Sequence, residues 1–457
     1  MVIMYTLEQL VNYAKTYGYI YQGSEIYGGL ANTYDYGPLG ALLKNNIKAA
    51  WKKVFCNDED NVMLDSSILL NPLVWKASGH LDNFSDPLIE CKACNQRFRA
   101  DKIISDFDPT VNTDQMNFLA MEDYIASHHL HCPACGKNNF EHIRSFNMMF
   151  QTTQGVVKES GNEIFLRPET AQGIFINFKN ILRTTRKKIP FGVCQYGKAF
   201  RNEITPGNFI FRTREFEQME LEFFCAPGSE VQWFNYYREK MVNFLINLGI
   251  KKTNIQVYDH PKEGLAHYSN ATTDLEFNFP WGFDELWGIA SRRDFDLNAH
   301  AKASGTELNY LDPESNEKYV PYVVEPSLGV ERLLLSLLFN GLEDYIVDNE
   351  VRTVLHLHPF LAPYKATILP LSKKELGPTA KKIYHSLQEL YEVAYDDAGS
   401  IGKRYRRSDA IGTPLAITID FETLNDKCVT VRYRDDMSQK RVKISQLKKI
   451  IGALVKL

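Results

Sequence analysis

The chain has 457 residues, 44% hydrophobic and 24% charged, which excludes wholesale disorder and gives room for about three structural units. Its 52 Lys and Arg face 56 Asp and Glu, a formal net charge of −4 that gives no sign of a polyanionic partner for the chain as a whole. The balance is uneven: Leu361 to Leu457 carries 18 basic and 11 acidic residues, or +7, leaving −11 for the rest, so an acidic body carries a basic tail region. No apolar stretch approaches the roughly 18 residues of a membrane span; the longest, Leu333 to Phe339, has the length of a core helix and contains a serine. Met1 to Leu10 shows no cationic cluster followed by an apolar run, so a cytoplasmic protein is expected.

An aromatic and glycine-rich opening, Ile26 to Gly40, leads into a predicted helix from about Ala41 to Val54, with Leu42, Leu43, Ile47 and Ala50 at helical spacing. An insertion follows over about 78–143. It holds two cysteine pairs, Cys91 with Cys94 and Cys132 with Cys135, the second in a Cys-Pro-x-Cys-Gly turn that points two thiolates at one centre. Four sulfurs suit a tetrahedral structural zinc with no open position for catalysis. His128, His129 or His131 could replace a thiolate, and plain reduced thiols are the alternative. Cys56, Cys194, Cys225 and Cys428 stand singly and read as small buried hydrophobes.

Strands are expected between Ile164 and Phe224, then a helix from about Glu230 to Leu248 with Val231, Phe234, Met241, Phe244 and Leu248 on its core face. After Val351 strands and helices alternate: Ala366–Leu371, a helix near Ala380–Leu390, Tyr391–Tyr395, a helix near Ser400–Ala410, and Leu415–Phe421. That is a small α/β module. Lys403, Arg404, Arg406 and Arg407 cluster on its second helix and suggest contact with a nucleic acid, a solvated face being the other reading.

Phe209 to Phe224 is the most informative segment, because a strand sends alternate side chains to opposite faces. One face takes Phe209, Phe211, Thr213, Glu215, Glu217, Met219, Leu221 and Phe223; the other takes Arg212, Arg214, Phe216, Gln218, Glu220 and Glu222. The preceding strand, about Phe191 to Ile204, presents Arg201 and Glu203, and Thr205 to Asn208 is a turn able to close an antiparallel hairpin. A solvated face of paired charges is the bland reading. Sorted signs around an aromatic ring favour another: Arg binds phosphate oxygens, Phe216 stacks on a base, and carboxylates hold an ammonium group. Downstream, Tyr319 to Glu325 reads as a strand, Ser327 as an N-cap, and Arg332 lies in the first turns of the apolar helix, where an anion would meet free amides, or else is a surface arginine.

These stretches resemble the homodimeric class II glycyl-tRNA synthetases over essentially the full length. The resemblance rests on Ile26 to Gly40, Asn71 to His80, Leu166-Arg-Pro-Glu-Thr-Ala-Gln-Gly173, Phe200 to Ile204, Phe211 to Glu220, Glu285 to Arg292, Glu325 to Arg332 and Gly399 to Asp409. Pro72 matches motif 1 at a dimer interface, Arg201 to Phe216 motif 2, and Gly329 to Arg332 motif 3. The resemblance implies an α+β fold. Its catalytic domain, an antiparallel β-sheet flanked by helices, would span 1–350, with the insertion at 78–143 and a second, helical one at about 228–270. A C-terminal α/β anticodon-binding domain would span 351–457.

It also implies glycyl-adenylate formation from glycine and ATP with magnesium, then transfer to tRNA(Gly). Arg201 and Arg332 would be catalytic. ATP would meet Arg201, Asn202, Glu203, Phe211, Arg212, Thr213, Arg214, Glu215, Phe216, Glu285, Leu286, Gly329, Val330, Glu331 and Arg332. Glycine would meet Arg99, for which Arg97 is the alternative, Glu169, Phe216, Glu217, Gln218, Met219, Glu220, Arg292, Glu325, Pro326, Ser327, Leu328 and Gly329. The competing readings are a synthetase-like accessory subunit that has lost the chemistry and a class II enzyme for another small amino acid.

Overall fold

A computed structural model describes residues 5–57, 61–113, 116–155, 163–261, 265, 269–347 and 350–457. Its centre is a seven-stranded sheet of β1 (Val62–Met63), β2 (Phe191–Phe200), β3 (Glu215–Cys225), β4 (Ile255–Asp259), β5 (Ala271–Phe279), β6 (Gly282–Arg293) and β7 (Tyr322–Gly329). The spatial order is β4-β5-β6-β7-β3-β2-β1, antiparallel except for the short β2–β1 pair. Six helices position the site: α1 (Pro38–Trp51), α2 (His80–Asn83), α3 (Ala171–Thr185), α4 (Glu230–Asn247), α5 (Phe295–Ser304) and α6 (Val330–Gly341).

Alternation splits β3 into two rows. Met219, Leu221, Phe223 and Cys225 enter the main core with Trp287, Ile289 and Leu328, packed with Leu43 and Ile47 of α1, Met241 and Phe244 of α4 and the leucines of α6. Fully burying each such side chain contributes about 1.5–3 kcal/mol, so this row fixes the register of the whole strand. The other row begins polar, with Phe216, Gln218, Glu220 and Glu222, and ends at Phe224, which packs on Phe175 and Phe178 of α3 and on Phe191. That polar row is the floor of the site.

Several elements differ from their sequence reading. α1 starts at Pro38, earlier than expected, because proline is preorganised for a first helical position; a Cβ on Gly40 would come within 1.9 Å of the Tyr19 carbonyl oxygen, so the helix packs directly on backbone there. The stretch taken as strands from Ile164 onward contains α3, whose buried Ile174, Phe175, Phe178 and Ile181 follow a helical repeat. On α4 the buried face is Phe234, Tyr237, Met241, Phe244 and Leu245, while Val231 in the first turn is exposed beyond the core. The stretch expected as a helical insertion supplies α4 and the edge strand β4; residues 262–264 and 266–268 of it lie outside the described residues.

The cysteine-bearing insertion has a three-stranded sheet, Arg97–Arg99, Ser85–Glu90 and Arg144–Asn147, and a core of its own around Ile89, Ile104, Met121, Ile125 and Ile143. At the other end of the chain, Ala366–Pro370, Val393–Tyr395, Leu415–Ile419, Cys428–Tyr433 and Gln439–Lys443 form a mixed five-stranded sheet with helices Gly377–Gln388 and Ile401–Ala410 and a separate core. A hairpin, Leu342–Val347 with Glu350–Leu355, leaves α6 directly and carries Arg352 to Asp409, Nε to Oδ2 at 2.9 Å. Arg432 grips the same carboxylate at 2.9 and 3.0 Å, and all three side chains are buried.

Candidate active site

Register puts the polar groups of three strands in one place. Gln218 lies opposite Gly329 and Glu220 opposite Ser327 on β7, and Ser327 in turn lies opposite Gly288 on β6, with Ala290 opposite Glu325. These residues, with Phe216, line a cavity closed on its other sides by Glu169, Arg201, Glu203, Phe211, Arg212, Thr213, Asp274, Glu285, Leu286, Glu331 and Arg332. Arg201, Arg212 and Arg332 line one end, with Glu285 beside Arg332, and Glu169, Glu220 and Glu325 cluster at the other.

The carboxylate end is a built network. Glu220 accepts from the Thr170 N–H at 2.9 Å and the Thr170 hydroxyl, from the Ser327 hydroxyl at 2.8 Å and from Gln218 Nε2 at 3.1 Å. Glu325 receives Arg292 Nη1 at 2.6 Å, and Arg292 also chelates Asp296 at 2.7 and 2.9 Å. Gln172 bridges Glu169 and Asp296 at 2.8 and 3.0 Å, and His80 stands 3.4 Å from Glu169. Burial opposes ionisation of Glu169, yet His80 and Arg292 hold its carboxyl well below the usual range. Burial, reinforced by Glu220, Glu169 and Asp296 against the pull of Arg292, pushes Glu325 up to about 8. Glu222, next in the row, is fully buried, and among the described residues neither of its carboxyl oxygens has a hydrogen-bond partner; burial, then the neighbouring Glu325, raises its carboxyl well above the ordinary value. The pocket is thus short of positive charge, the condition under which an ammonium group binds.

At the cationic end, Arg201 Nε donates to the Pro168 carbonyl at 3.0 Å, and among the described residues its terminal nitrogens have no protein acceptor. Arg332 stacks on Phe211, 4.4 Å from the ring centroid, and reaches Glu285 at 2.9 Å; that ion pair holds the Glu285 carboxyl below its ordinary value.

Not every expected residue is here. β3 starts at Glu215, because Phe209 to Phe211 forms a short buried 3₁₀ turn; Arg212, Thr213 and Arg214 are therefore placed by a long loop after Phe200, which is not the tight turn predicted over Thr205 to Asn208. Arg214 points to the Glu203 carbonyl at 3.1 Å, Asn202 bonds the Met148 carbonyl through its N–H, and Glu215 pairs with Lys198 at 2.6 Å. Glu217 and Met219 belong to the opposite row: Met219 is in the core, and Glu217 binds Lys44 at 2.7 Å and Lys48 at 3.0 Å. Glu331 touches the cavity, but its carboxylate takes Lys44 at 2.7 Å and the Glu217 N–H at 2.9 Å. Pro326, Leu328 and Val330 are buried on the core side of β7 and α6. Arg292 acts from behind Glu325. Arg99 pairs with Asp101 at 2.5 Å and Asp86 at 3.3 Å and lines a neighbouring cleft with Arg212, whereas Arg97 is exposed against Glu90. Ser327 is no N-cap: it sits within β7, Gly329 occupies the cap position, and the Ser327 hydroxyl goes to Glu220.

Thr170, Gln172 and Asp296 were not singled out from the sequence. Thr170 and Gln172 did lie within the stretch Leu166 to Gly173, one and three residues after Glu169; Asp296 had no signal, since its role depends on α5 packing behind β6. On the helix Ile401–Ala410, Arg404 is buried against the Pro370 carbonyl, Arg406 pairs with Glu350, and Arg407 with Asp396 at 2.5 Å, so the basic run is not one free cationic face.

The four cysteine sulfurs of the insertion lie within 4.8 Å of one another, with Cys91–Cys135 and Cys94–Cys132 each at 3.7 Å. None of the three nearby histidines joins them; His128 instead stacks on Tyr124.

Two family descriptions match: "tRNA synthetase class II core domain (G, H, P, S and T)" over residues 150–340 and "Anticodon binding domain" over residues 365–454. The chain is 56% identical to the glycine–tRNA ligase of Alkaliphilus oremlandii (strain OhILAs) over 97% of both chains. It is 56% identical to that of Clostridium perfringens (strain 13 / Type A) over 99% of both. It is 57% identical to that of Acetivibrio thermocellus over 98% of both. The chain belongs to the glycine–tRNA ligase family. It is a class II aminoacyl-tRNA synthetase that joins glycine to tRNA, and the mixed sheet after residue 365 is its anticodon-binding domain. Among the described residues no helix is long and apolar enough to cross a membrane.

Proposed function

We propose that the cavity on the polar face of β3, β6 and β7 performs both half-reactions: glycyl-adenylate formation from glycine and ATP, and transfer of glycine to the 3′ end of tRNA(Gly). The observation that carries this reading is the juxtaposition, in one cavity, of an Arg201 guanidinium whose terminal nitrogens have no acceptor among the described residues with the carboxylates Glu169, Glu220 and Glu325. The glycine carboxylate attacks the α-phosphorus and pyrophosphate leaves. No protein nucleophile is required, so alignment and charge neutralisation carry the catalysis. Arg201 grips the α-phosphate and the glycine carboxylate; Glu203 faces the adenine edge, with Phe216 and Arg332 on either side of the ring; Arg212 serves the terminal phosphates. Glu285, ionised and exposed at the rim, would hold magnesium, which supplies neutralisation of pyrophosphate charge. The ammonium group enters among Glu169, Glu220 and Glu325. Ser327 and Arg292 keep that pocket small, which rejects a β-carbon by steric exclusion. Glycine-dependent ATP–pyrophosphate exchange tests the reading: exchange should require glycine and be poor with alanine, and equal rates with the two would overturn it.

The raised Glu325 gives a pH dependence. The group is neutral below about 8 and ionised above, and a bound ammonium favours the ionised form. The KM for glycine should therefore fall as pH rises from about 6.5 to about 8.5, with Glu325→Gln both weaker and flat across that range. A flat wild-type profile would remove Glu325 from the ammonium site.

The cysteine cluster is assigned as a structural zinc site of Cys91, Cys94, Cys132 and Cys135. Zinc–sulfur bonds of about 2.3 Å in a tetrahedron require sulfurs about 3.8 Å apart, which the two closest pairs already meet. Metal analysis should find one zinc per chain, and a strong chelator should make the insertion sensitive to protease. Zinc far below one per chain in active enzyme would refute the assignment. The same reading takes residues 1–350 as the catalytic unit and 351–457 as the anticodon-reading unit of a cytoplasmic homodimer. Exposed Leu69 and Leu73 beside Pro72 support a subunit contact there.

A further inference from the structure

The base of the inserted module lies against the catalytic loop. α2 opens with His80, whose ring faces Glu169, and its last residue is followed by Phe84, which caps it. The chain Trp75, His80, Phe84 runs as successive ring contacts, each at 5.5 Å, and starts from a fully buried tryptophan. The Arg201 guanidinium lies over the Phe84 ring at 5.5 Å and over the Phe216 ring at 5.3 Å. The backbones are tied in the same way: the Phe84 carbonyl accepts from Met148 N–H at 3.0 Å, and the Met148 carbonyl from Asn202 N–H at 2.7 Å, one residue beyond Arg201.

We propose that Phe84 is a positioning residue for adenylate formation, acting with Phe216 to fix the plane of the Arg201 guanidinium. The inference rests on the reading of Arg201 as the phosphate-gripping group. Among the described residues Arg201 is anchored by hydrogen bonding at Nε alone, and one such bond leaves its plane free to turn about the last side-chain bonds. A second polar anchor would occupy a terminal nitrogen that the ligand needs. Aromatic faces hold the cation without using any donor, and do so most strongly where water is partly excluded. Preorganisation of that kind acts on the transition state more than on ground-state binding. Phe84 is half-buried and lies outside the four apolar cores formed by the described residues, so its removal leaves those cores intact.

The test is Phe84→Leu in glycine-dependent pyrophosphate exchange, with zinc content and melting temperature measured alongside. We expect kcat to fall by about 10- to 30-fold while the KM for glycine changes by less than about threefold, and Phe84→Tyr, which keeps the ring, to restore kcat to within about twofold of wild type. Should Phe84→Leu lower the melting temperature, Phe84→Met gives the same reading with the bulk better kept. Added to Arg201→Ala, Phe84→Leu should cost nothing further, because the two act as one unit. An unchanged kcat, an equal loss in Phe84→Tyr, or an additional loss on top of Arg201→Ala would each overturn the role of Phe84. An Arg201→Ala enzyme with normal exchange would instead overturn the reading of Arg201.

Discussion

Arg201→Ala is expected to lose about 3 kcal/mol of transition-state stabilisation, roughly a hundred-fold in the kcat of glycine-dependent pyrophosphate exchange. The size follows from what the side chain can do. Its terminal nitrogens have no partner among the described protein groups, so they are free to meet charge that develops on the α-phosphate, and removal takes away a preorganised donor without opening the core. Arg201→Lys keeps the charge but lacks the planar fork and the stacking surface, so only a small part of the loss should return. The fold should be untouched, because among the described residues the one side-chain hydrogen bond lost is to the Pro168 carbonyl. Near-normal exchange in Arg201→Ala would remove this residue from the chemistry.

The second large effect concerns stability. Lys44 of α1 is buried and holds two carboxylates, Glu217 of β3 and Glu331 of α6, each at 2.7 Å. Burial alone would raise the Glu217 carboxyl, but Lys44 and then Lys48 hold it below its ordinary value. Lys44→Met would leave carboxylates without their main counterion in a nearly dry site, a defect that costs about 3–5 kcal/mol. Thermal unfolding of the catalytic portion should move down by about 6–20 °C, at the usual few degrees per kcal/mol. The sign of the pH dependence is fixed by the depressed Glu217: stabilisation from its ionised form is present above the unfolded carboxyl value and is lost as pH falls through the folded one. The gap between variant and wild type should therefore narrow below about pH 4, and an additional Glu331→Gln should recover part of it at neutral pH. A Lys44→Met protein as stable as wild type would show that the triad is not a brace.

Period two along Phe216 to Glu222 was enough to separate the polar row, because the opposite row cannot exchange faces without exposing Met219 and Leu221. The same periodicity failed upstream of Glu215, where three consecutive buried residues, Phe209 to Phe211, fold as a turn with Phe211 against Phe279 and Trp281. Alternation has no meaning outside a strand, so Arg212 and Arg214 were given a common face that they do not share. Contiguity misled in a different way: Glu217, Met219 and Leu328 fall inside motif stretches, yet their side chains point away from the ligand face. The supports from α5 and α2 were invisible, since Asp296 and Phe84 reach the site only through tertiary packing. The α/β module, by contrast, was readable because short apolar strands alternate with amphipathic helices, each carrying its own local signal.

The buried clasp of Arg352, Asp409 and Arg432 joins a hairpin that issues from α6 to a helix of the anticodon-binding domain. α6 itself follows Gly329, which lines the cavity on the polar face of the sheet. The chain therefore passes from the cavity wall to that domain through one helix and one hairpin, with the clasp fastening the far end. It behaves as a rivet: withdrawing Asp409 would strand two guanidinium groups in a nearly dry joint, so the seam resists parting by about 3–5 kcal/mol.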